Sequence, residues 1–321
     1  MNVVDTINEA LASGTTRFAF ELLPPLKGDG TAGVYRAVEN VLEFNPAYIN
    51  ITCHRESLKQ TVRPDGRPEW HTVRRRPGTV GIAAALQQKY GIDTVPHLIC
   101  GGLSQYDIED SLIDMDFLGL HNVLALRGDC SQNEKMFIPH PQGHAHAVDL
   151  VRQVAAMNRG EFVDGEVDEC HHSRFSIGVA GYPETHTEAF SPDDDILRLK
   201  EKVEAGAEYV VTQMFFDNDR FFDYVERCRA AGITVPVIPG LKPLVNTRQL
   251  ETLPQAFHLT IPEDLKKEIL SLGDDKAKVK EAGLAWTVEQ VRGLKEAGVP
   301  VVHFYTMSKT ENIAAIAARV F

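Results

Sequence analysis

The chain is expected to fold as an α/β protein, a (β/α)8 TIM barrel in a single domain over residues 1–321, and three observations lead there. Eight short segments rich in β-branched and aromatic residues recur along it, separated by helical patterns or long loops. Between them, Asp194–Ala205 and Arg220–Ala231 place apolar residues at three-and-four spacing with charges on the other face. The length of 321 residues suits one barrel of about 250 residues plus insertions. Alternation alone also permits an open doubly wound sheet, but the count of eight favours closure, and no G-x-G-x-x-G follows the first segment.

In such a barrel the active site lies where strands finish, so the residues at and just past each strand are the candidates. The first strand, Arg17–Leu22, runs into Leu23-Pro24-Pro25 and carries Glu21 among apolar neighbours before a rigid turn. Desolvation there raises a carboxyl pKa and suits it to general acid work, although alone this segment equally fits a surface Glu before a turn. Tyr48–Cys53 contains Thr52, and Thr94–Cys100 carries His97. Asn122–Leu126 leads to Arg127-Gly128-Asp129, where glycine admits a ligand to the backbone and the flanking charges fix a polar ring or phosphate. An ordinary strand-to-loop turn explains that tripeptide more simply.

The fifth segment, Arg174–Ala180, leads to Tyr182-Pro183-Glu184-Thr185-His186, and the sixth, Tyr209–Met214, contains Gln213. Val235–Pro239 is the seventh, and Val301–Tyr305, the eighth, contains His303-Phe304-Tyr305 before Thr306. Polar groups at so many strand ends converge only if they share a site. Three helical stretches close on Ala205-Gly206, Ala231-Gly232 and Ala297-Gly298, where a left-handed glycine stops a helix before the next strand.

Composition narrows the function. A net charge of -12 argues against a nucleic-acid partner, because phosphate neutralisation needs a basic face. The five cysteines are scattered without a C-x-x-C pair, which suggests neither a disulfide framework nor a zinc ribbon and fits a cytoplasmic protein. Residues 1–14 do not read as a secretion signal, and no apolar run approaches the length of a membrane span. Cys170-His171-His172 and His140 with His144-Ala145-His146 lack a well-spaced set of four ligands, so no metal site is expected. The basic stretch Lys59–Arg76, with Arg63, Arg67, Arg74, Arg75 and Arg76, is expected as a loop over the site. It is solvated on the plainer reading, and attracts an anionic substrate tail or cofactor phosphate on the other.

The motifs F-E-L-L-P-P, L-R-G-D, G-Y-P-E-T-H, T-Q-M-F-F-D, I-P-G-L-K-P and H-F-Y-T, in this order between Phe18 and Thr306, closely resemble the motif set of methylenetetrahydrofolate reductases. That resemblance implies an FAD enzyme using NADH or NADPH to reduce 5,10-methylenetetrahydrofolate to 5-methyltetrahydrofolate by a ping-pong hydride transfer. Glu21 then matches the acid that protonates folate N10, and Asp129 the carboxylate beside the flavin and the pterin. Gln213, Gln249 and Lys309 match substrate-contacting positions. Thr52, His97, Arg127, Gly128, Asp129, His146, Ala147, Tyr182, His186, Asp195, Arg198 and Lys202 match FAD-binding ones, the last three expected on one helix face. It also implies self-association into a homo-oligomer and, with no room for the regulatory domain of animal members, no inhibition by S-adenosylmethionine.

Departures from the usual pattern are Leu22-Leu23 for Phe-Phe, Cys53-His54 for Tyr-Gly, Lys309 for Arg, Arg198 for Asn, and Leu253 at a position often aromatic. A leucine offers no aromatic face, which leaves open how the nicotinamide stacks. Two other readings stand beside this one. One is a flavin-free barrel lyase or hydrolase with a metal on His97, His186 and Asp129. The other is a folate-binding protein without turnover.

Overall fold

The computed structural model describes residues 2–130, 134, 136–167 and 171–321. Eight parallel strands, β1 (Arg17–Leu22), β2 (Ile49–Ile51), β3 (Thr94–Ile99), β4 (Asn122–Leu126), β5 (Ser176–Gly181), β6 (Tyr209–Met214), β7 (Val237–Leu241) and β8 (Val301–Phe304), close into a barrel. Their order around it is β1-β8-β7-β6-β5-β4-β3-β2, so the expected (β/α)8 fold is the one observed. Strand bounds differ from the expected ones mainly at the ends: β2 keeps only Ile49–Ile51, and β7 begins at Val237, after Pro236, which has no N–H to donate.

Alternation along each strand divides the apolar residues into two layers. Phe18, Phe20, Leu22, Ile49, Ile51, Val123, Ile177 and Val179 face outward and join the layer packed under the helices. Ala19, Tyr48, Val95, Leu124, Tyr209, Val211, Ile238 and Val301 fill the barrel interior. The helix Val3–Ser13 closes the end where strands begin, adding Val3 and Ile7 to the interior cluster. It is anchored by the Val3 N–H, which donates to Asn122 Oδ1 at 2.7 Å.

The Ala-Gly signals end helices as expected. Helices Pro192–Glu204, Asn218–Ala230 and Lys276–Glu296 stop at Ala205, Ala231 and Ala297, followed by Gly206, Gly232 and Gly298 with φ of 125°, 85° and 75°. The next residue then bonds back to the last turn, as when Ile233 N donates to Cys228 O at 2.9 Å.

Interior packing leaves no room for a side chain at Gly178, where an added Cβ would lie 2.4 Å from the Tyr209 ring. Tyr209 is fully buried and cannot swing out. Gly178→Ala is therefore expected to lower stability by about 2 kcal/mol or more through overpacking, read as a lower urea midpoint at unchanged slope. An unchanged midpoint would show that the barrel interior yields to Tyr209.

The stretch expected as a basic loop is instead an antiparallel hairpin of Ser57–Val62 and Pro68–Val73. Its turn is Pro64-Asp65-Gly66, with Arg63 N donating to Arg67 O at 2.9 Å. Pro-Asp-Gly is a strong turn former, and its strands escape notice because they are polar and largely solvent-facing. Three of the five arginines pair with carboxylates of the hairpin or its base: Arg63 with Glu69 at 2.8 Å, Arg67 with Asp65 at 3.9 Å and Arg74 with Glu56 at 3.1 Å. Their charge is largely spent locally. Arg76, by contrast, donates to Pro24 O, and Lys27 N donates to Arg75 O at 2.8 Å, which ties the hairpin base to the loop after β1.

Candidate active site at the barrel mouth

The sheet order sorts the expected site residues into two halves. Thr52, His97, Arg127, Gly128 and Tyr182 lie on or just after β2, β3, β4 and β5, which are neighbours. Glu21, Gln213, Gln249 and Lys309 lie on or after β1, β6, β7 and β8, the other contiguous half. The first group is matched to the cofactor and the second to the substrate, while Asp129, matched to both, follows β4.

Glu21 is 8% exposed at the end of β1, where its carboxyl pKa is pushed up to about 7 by burial, opposed by the attraction of Lys242. The strand end around it is stitched from β8. Thr306 Oγ1 donates to Glu21 O at 2.6 Å, Ser308 N donates to Thr306 Oγ1 at 2.8 Å, and Leu23 N donates to Ser308 Oγ at 3.0 Å. Met307 and Ser308 both hold positive φ, of 48° and 61°, in the left-handed region that side chains avoid. Local strain is thereby spent on fixing the backbone that carries the carboxyl.

Beneath the mouth is a neutral hydrogen-bonded row. His97 Nε2 is 3.2 Å from Asn50 Oδ1, and Asn50 Nδ2 is 3.5 Å from His303 Nδ1. Burial pushes both imidazoles down to about 3. His97 therefore points into the barrel, committed to Asn50. The His303 ring meets the Tyr305 ring edge-on at 4.9 Å, and Tyr305 OH donates to Thr212 O at 2.7 Å.

On the cofactor-matched half, Arg127 donates to Glu188 through both terminal guanidinium nitrogens, Nη2 at 2.9 Å, and lies over the Phe137 ring at 5.0 Å. Gly128 follows with φ of 85°, and Asp129 is exposed. Burial and Arg76 hold the His54 imidazole below its ordinary range, with Asp129 pulling the other way. His146 is the N-cap of helix Ala147–Met157 and makes no side-chain cap bond, while Asp149 in the first turn donates its N–H to His146 O at 3.1 Å.

The Tyr182 and His186 rings pack edge-on at 4.7 Å, and His186 N donates to Asp195 Oδ2 at 2.9 Å. Lys202 Nζ donates to Ala180 O at 2.6 Å, and burial holds its pKa down to about 8 against the pull of Asp195. Asp195 and Lys202 thus face the barrel together. Arg198 does not join them: it is exposed and pairs with Glu201 at 3.1 Å and Asp194 at 3.7 Å. Positions seven apart almost align on a helix, whereas one three along is rotated by about 60°, enough here to carry it into solvent.

Gln213 turns its Oε1 back to accept from Met214 N at 2.9 Å, beside an irregularity in the β6–β7 register. Gln249 Oε1 accepts from Val245 N at 2.7 Å and Asn246 N at 3.2 Å, bracing the loop after β7. Lys309 is exposed on the loop after β8. Leu253 is 6% exposed and packs in a satellite cluster with Met214, Phe216 and Leu244. Tyr305 packs against the same cluster.

Among the described residues no group of three His, Cys, Asp or Glu side chains is placed to hold a metal ion. His144 bonds Gln153 at 2.6 Å, His171 lies 4.0 Å from Asp116 before β5, and Cys170 falls outside the described residues. His97 and His186 are likewise bound to different neighbours. Lys242, Asn50 and Glu188 escaped the sequence reading. Lys242 stood inside I-P-G-L-K-P, directly after a strand, which was the available signal. Asn50 stood out only as a polar residue inside an apolar strand.

Comparison with known proteins matches residues 6–320 to the family described as methylenetetrahydrofolate reductase. A probable methylenetetrahydrofolate reductase (NADH) of Oryza sativa subsp. japonica is 29% identical over 98% of this chain and 50% of its own length. A 5,10-methylenetetrahydrofolate reductase of Pectobacterium carotovorum subsp. carotovorum is 27% identical over 98% of this chain and 94% of its own. The chain therefore spans half the length of the plant relatives and nearly all of the bacterial one. Among solved structures, a Clostridium thermocellum protein described as binding two copies of 5-methyl-5,6,7,8-tetrahydrofolic acid aligns with a TM-score of 0.53 at 13% identity, covering 98% of this chain and 99% of that one. An oxaloacetate acetylhydrolase aligns with a TM-score of 0.53 at 10% identity, covering 99% and 84%. At these identities the likeness concerns the barrel alone.

Proposed function

Since this chain belongs to the methylenetetrahydrofolate reductase family, we propose that it reduces 5,10-methylenetetrahydrofolate to 5-methyltetrahydrofolate, using NADH or NADPH and bound FAD in two successive half-reactions. The observation that carries this reading is the buried carboxyl of Glu21, whose pKa of about 7 keeps a substantial protonated fraction at neutral pH. Bound FAD would supply hydride storage between the two half-reactions.

The cofactor-matched half suits such a group. The helix N-terminus at Ala147 would offer backbone N–H groups to a phosphate of the cofactor, beside the Asp149 carboxylate of the same turn, and Gly128 leaves the backbone after β4 without a side chain over it. Thr52, His97, Tyr182, His186, Asp195 and Lys202 surround or support that half, while Arg198 faces away. Arg127 would exchange part of its grip on Glu188 for a cofactor contact.

Glu21 donates a proton to folate N10, which opens the five-membered ring and leaves the methylene on N5 as an iminium ready for hydride. Asp129, exposed at the mouth, holds the pterin by hydrogen bonds, and Gln213 and Gln249 orient it. Lys309 offers its charge to the folate carboxylates. Loss of that charge in Lys309→Met is expected to raise the KM for methylenetetrahydrofolate about 5- to 10-fold with kcat for NADH oxidation unchanged, as steady-state kinetics would read. Self-association is part of the same reading and is checked by sedimentation.

The decisive experiment is an anaerobic absorbance spectrum of the purified protein. A flavin spectrum bleached by NADH and restored by methylenetetrahydrofolate is expected. A protein that takes up no FAD would overturn the reading.

A further inference from the structure

We infer that Lys242 is a positioning residue that acts through Glu21, standing in the same interior layer of the barrel as the counter-charge that sets when the acid gives up its proton. The register places it there. Ala19 of β1 and Gly240 of β7 are both level with His303 of β8. Two residues further on, by the same alternation, stand Glu21 on β1 and, just past the ends of β8 and β7, Tyr305 and Lys242, where Tyr305 N donates to Leu241 O at 2.9 Å and continues the ladder. Lys242 begins two strands from Glu21, about 10 Å away at the usual strand spacing, a gap that a lysine side chain largely spans.

Neither group is satisfied by a neighbour. Among the described residues the Glu21 carboxylate and the Lys242 ammonium make no hydrogen bond or ion pair within 4.0 Å. Both are shielded from water, Glu21 almost fully and Lys242 in part. Tyr305, between them, spends its hydroxyl on Thr212 O at 2.7 Å and so offers the carboxyl no donor.

Other elements around Glu21 supply no competing charge of similar burial. From β2 and β3 come Asn50 and His97, and from β8 His303; both imidazoles are held neutral. Tyr48 and Tyr182 are phenols pushed up by burial. Lys309, on the loop after β8, is exposed, where solvent weakens its field, and it opposes the charge on Lys242. Lys242 is thus the cation that counts. Burial drives the Glu21 carboxyl toward the neutral acid, and Lys242 draws it back to a point near neutral pH, where one residue can both hold and release a proton.

The role in catalysis rests on the function proposed above, whereas the coupling itself can be measured without turnover. Carboxyl 13C NMR of glutamate-labelled protein, with the Glu21 resonance assigned through Glu21→Gln, gives its titration directly. Lys242→Met is expected to move the midpoint up by about one pH unit, a roughly tenfold change in proton affinity, and Lys242→Arg to restore it. Lys242→Gln serves the same purpose if the methionine variant does not fold.

In stopped-flow kinetics the alkaline limb of folate reduction should move by the same amount, with the NADH half-reaction unmoved. A Glu21 midpoint unchanged in a folded Lys242 variant overturns the inference, whatever the protein reduces. A midpoint that moves in a protein that reduces no folate sinks the functional reading and leaves the coupling standing.

Discussion

Glu21→Gln is expected to lose about 10²- to 10⁴-fold in methylenetetrahydrofolate reduction while oxidising NADH with an artificial acceptor at the normal rate. The amide keeps the shape and burial of the acid but has no proton to give, and only the folate half-reaction needs one. Single-turnover measurements of the two half-reactions separate these outcomes. Equal loss in both, or in neither, would remove Glu21 from the role of acid.

The same substitution should make the protein more stable. A carboxyl raised from 4.5 to about 7 on folding binds its proton more tightly in the folded chain. Between those limits the folded state therefore holds more protons than the unfolded one, and stability falls as pH rises. The penalty is absent below the lower limit and complete above the upper, where it amounts to about 3 kcal/mol. Glu21→Gln removes it, so urea denaturation should show a gain of that order at pH 8 and almost none at pH 4. A variant gaining nothing at pH 8 would mean that the Glu21 carboxyl is as well solvated in the folded chain as in the unfolded one.

Most of this site could be read along the chain, for a physical reason. Strand ends in a barrel are close in space whatever their separation in sequence, so a polar residue after an apolar run already carries its coordinate. Glu21, Arg127 and Tyr182 were legible in that way. What could not be read depends on angle or on partners. Arg198 shares helical spacing with Asp195 and Lys202 yet falls among Asp194 and Glu201. Leu253 is buried in a cluster drawn from the end of β6, the loop after β7 and three helices. Lys242 follows a strand in I-P-G-L-K-P, but only the register of β1, β8 and β7 puts it level with Glu21. The hairpin at 57–73 was hidden for a different reason, since its strands bury too little to show alternation.

The row His97, Asn50 and His303 should govern the acid limit of the fold, with a sign opposite to that of Glu21. Its hydrogen bonds run one way: the His97 Nε2–H donates to Asn50 Oδ1, and the Asn50 amide donates to His303 Nδ1. A proton arriving at His303 Nδ1 would face the Asn50 amide hydrogens. Turning Asn50 over would move the same clash to His97. Both imidazoles are therefore kept neutral, lowered from 6.5 to about 3, and the folded chain holds fewer protons than the unfolded one across that window. Stability then rises with pH from 3 to 6.5 and is lost as pH falls through it, by somewhat over 1 kcal/mol per pH unit for each independent histidine. The two share Asn50, so their joint effect is less than twice that. His303→Gln takes one titration away and should flatten the slope of unfolding free energy against pH between 4 and 6, even if it lowers stability at pH 8. Denaturation series at several pH values would measure it, and an unaltered slope would show that His303 is not a buried neutral base.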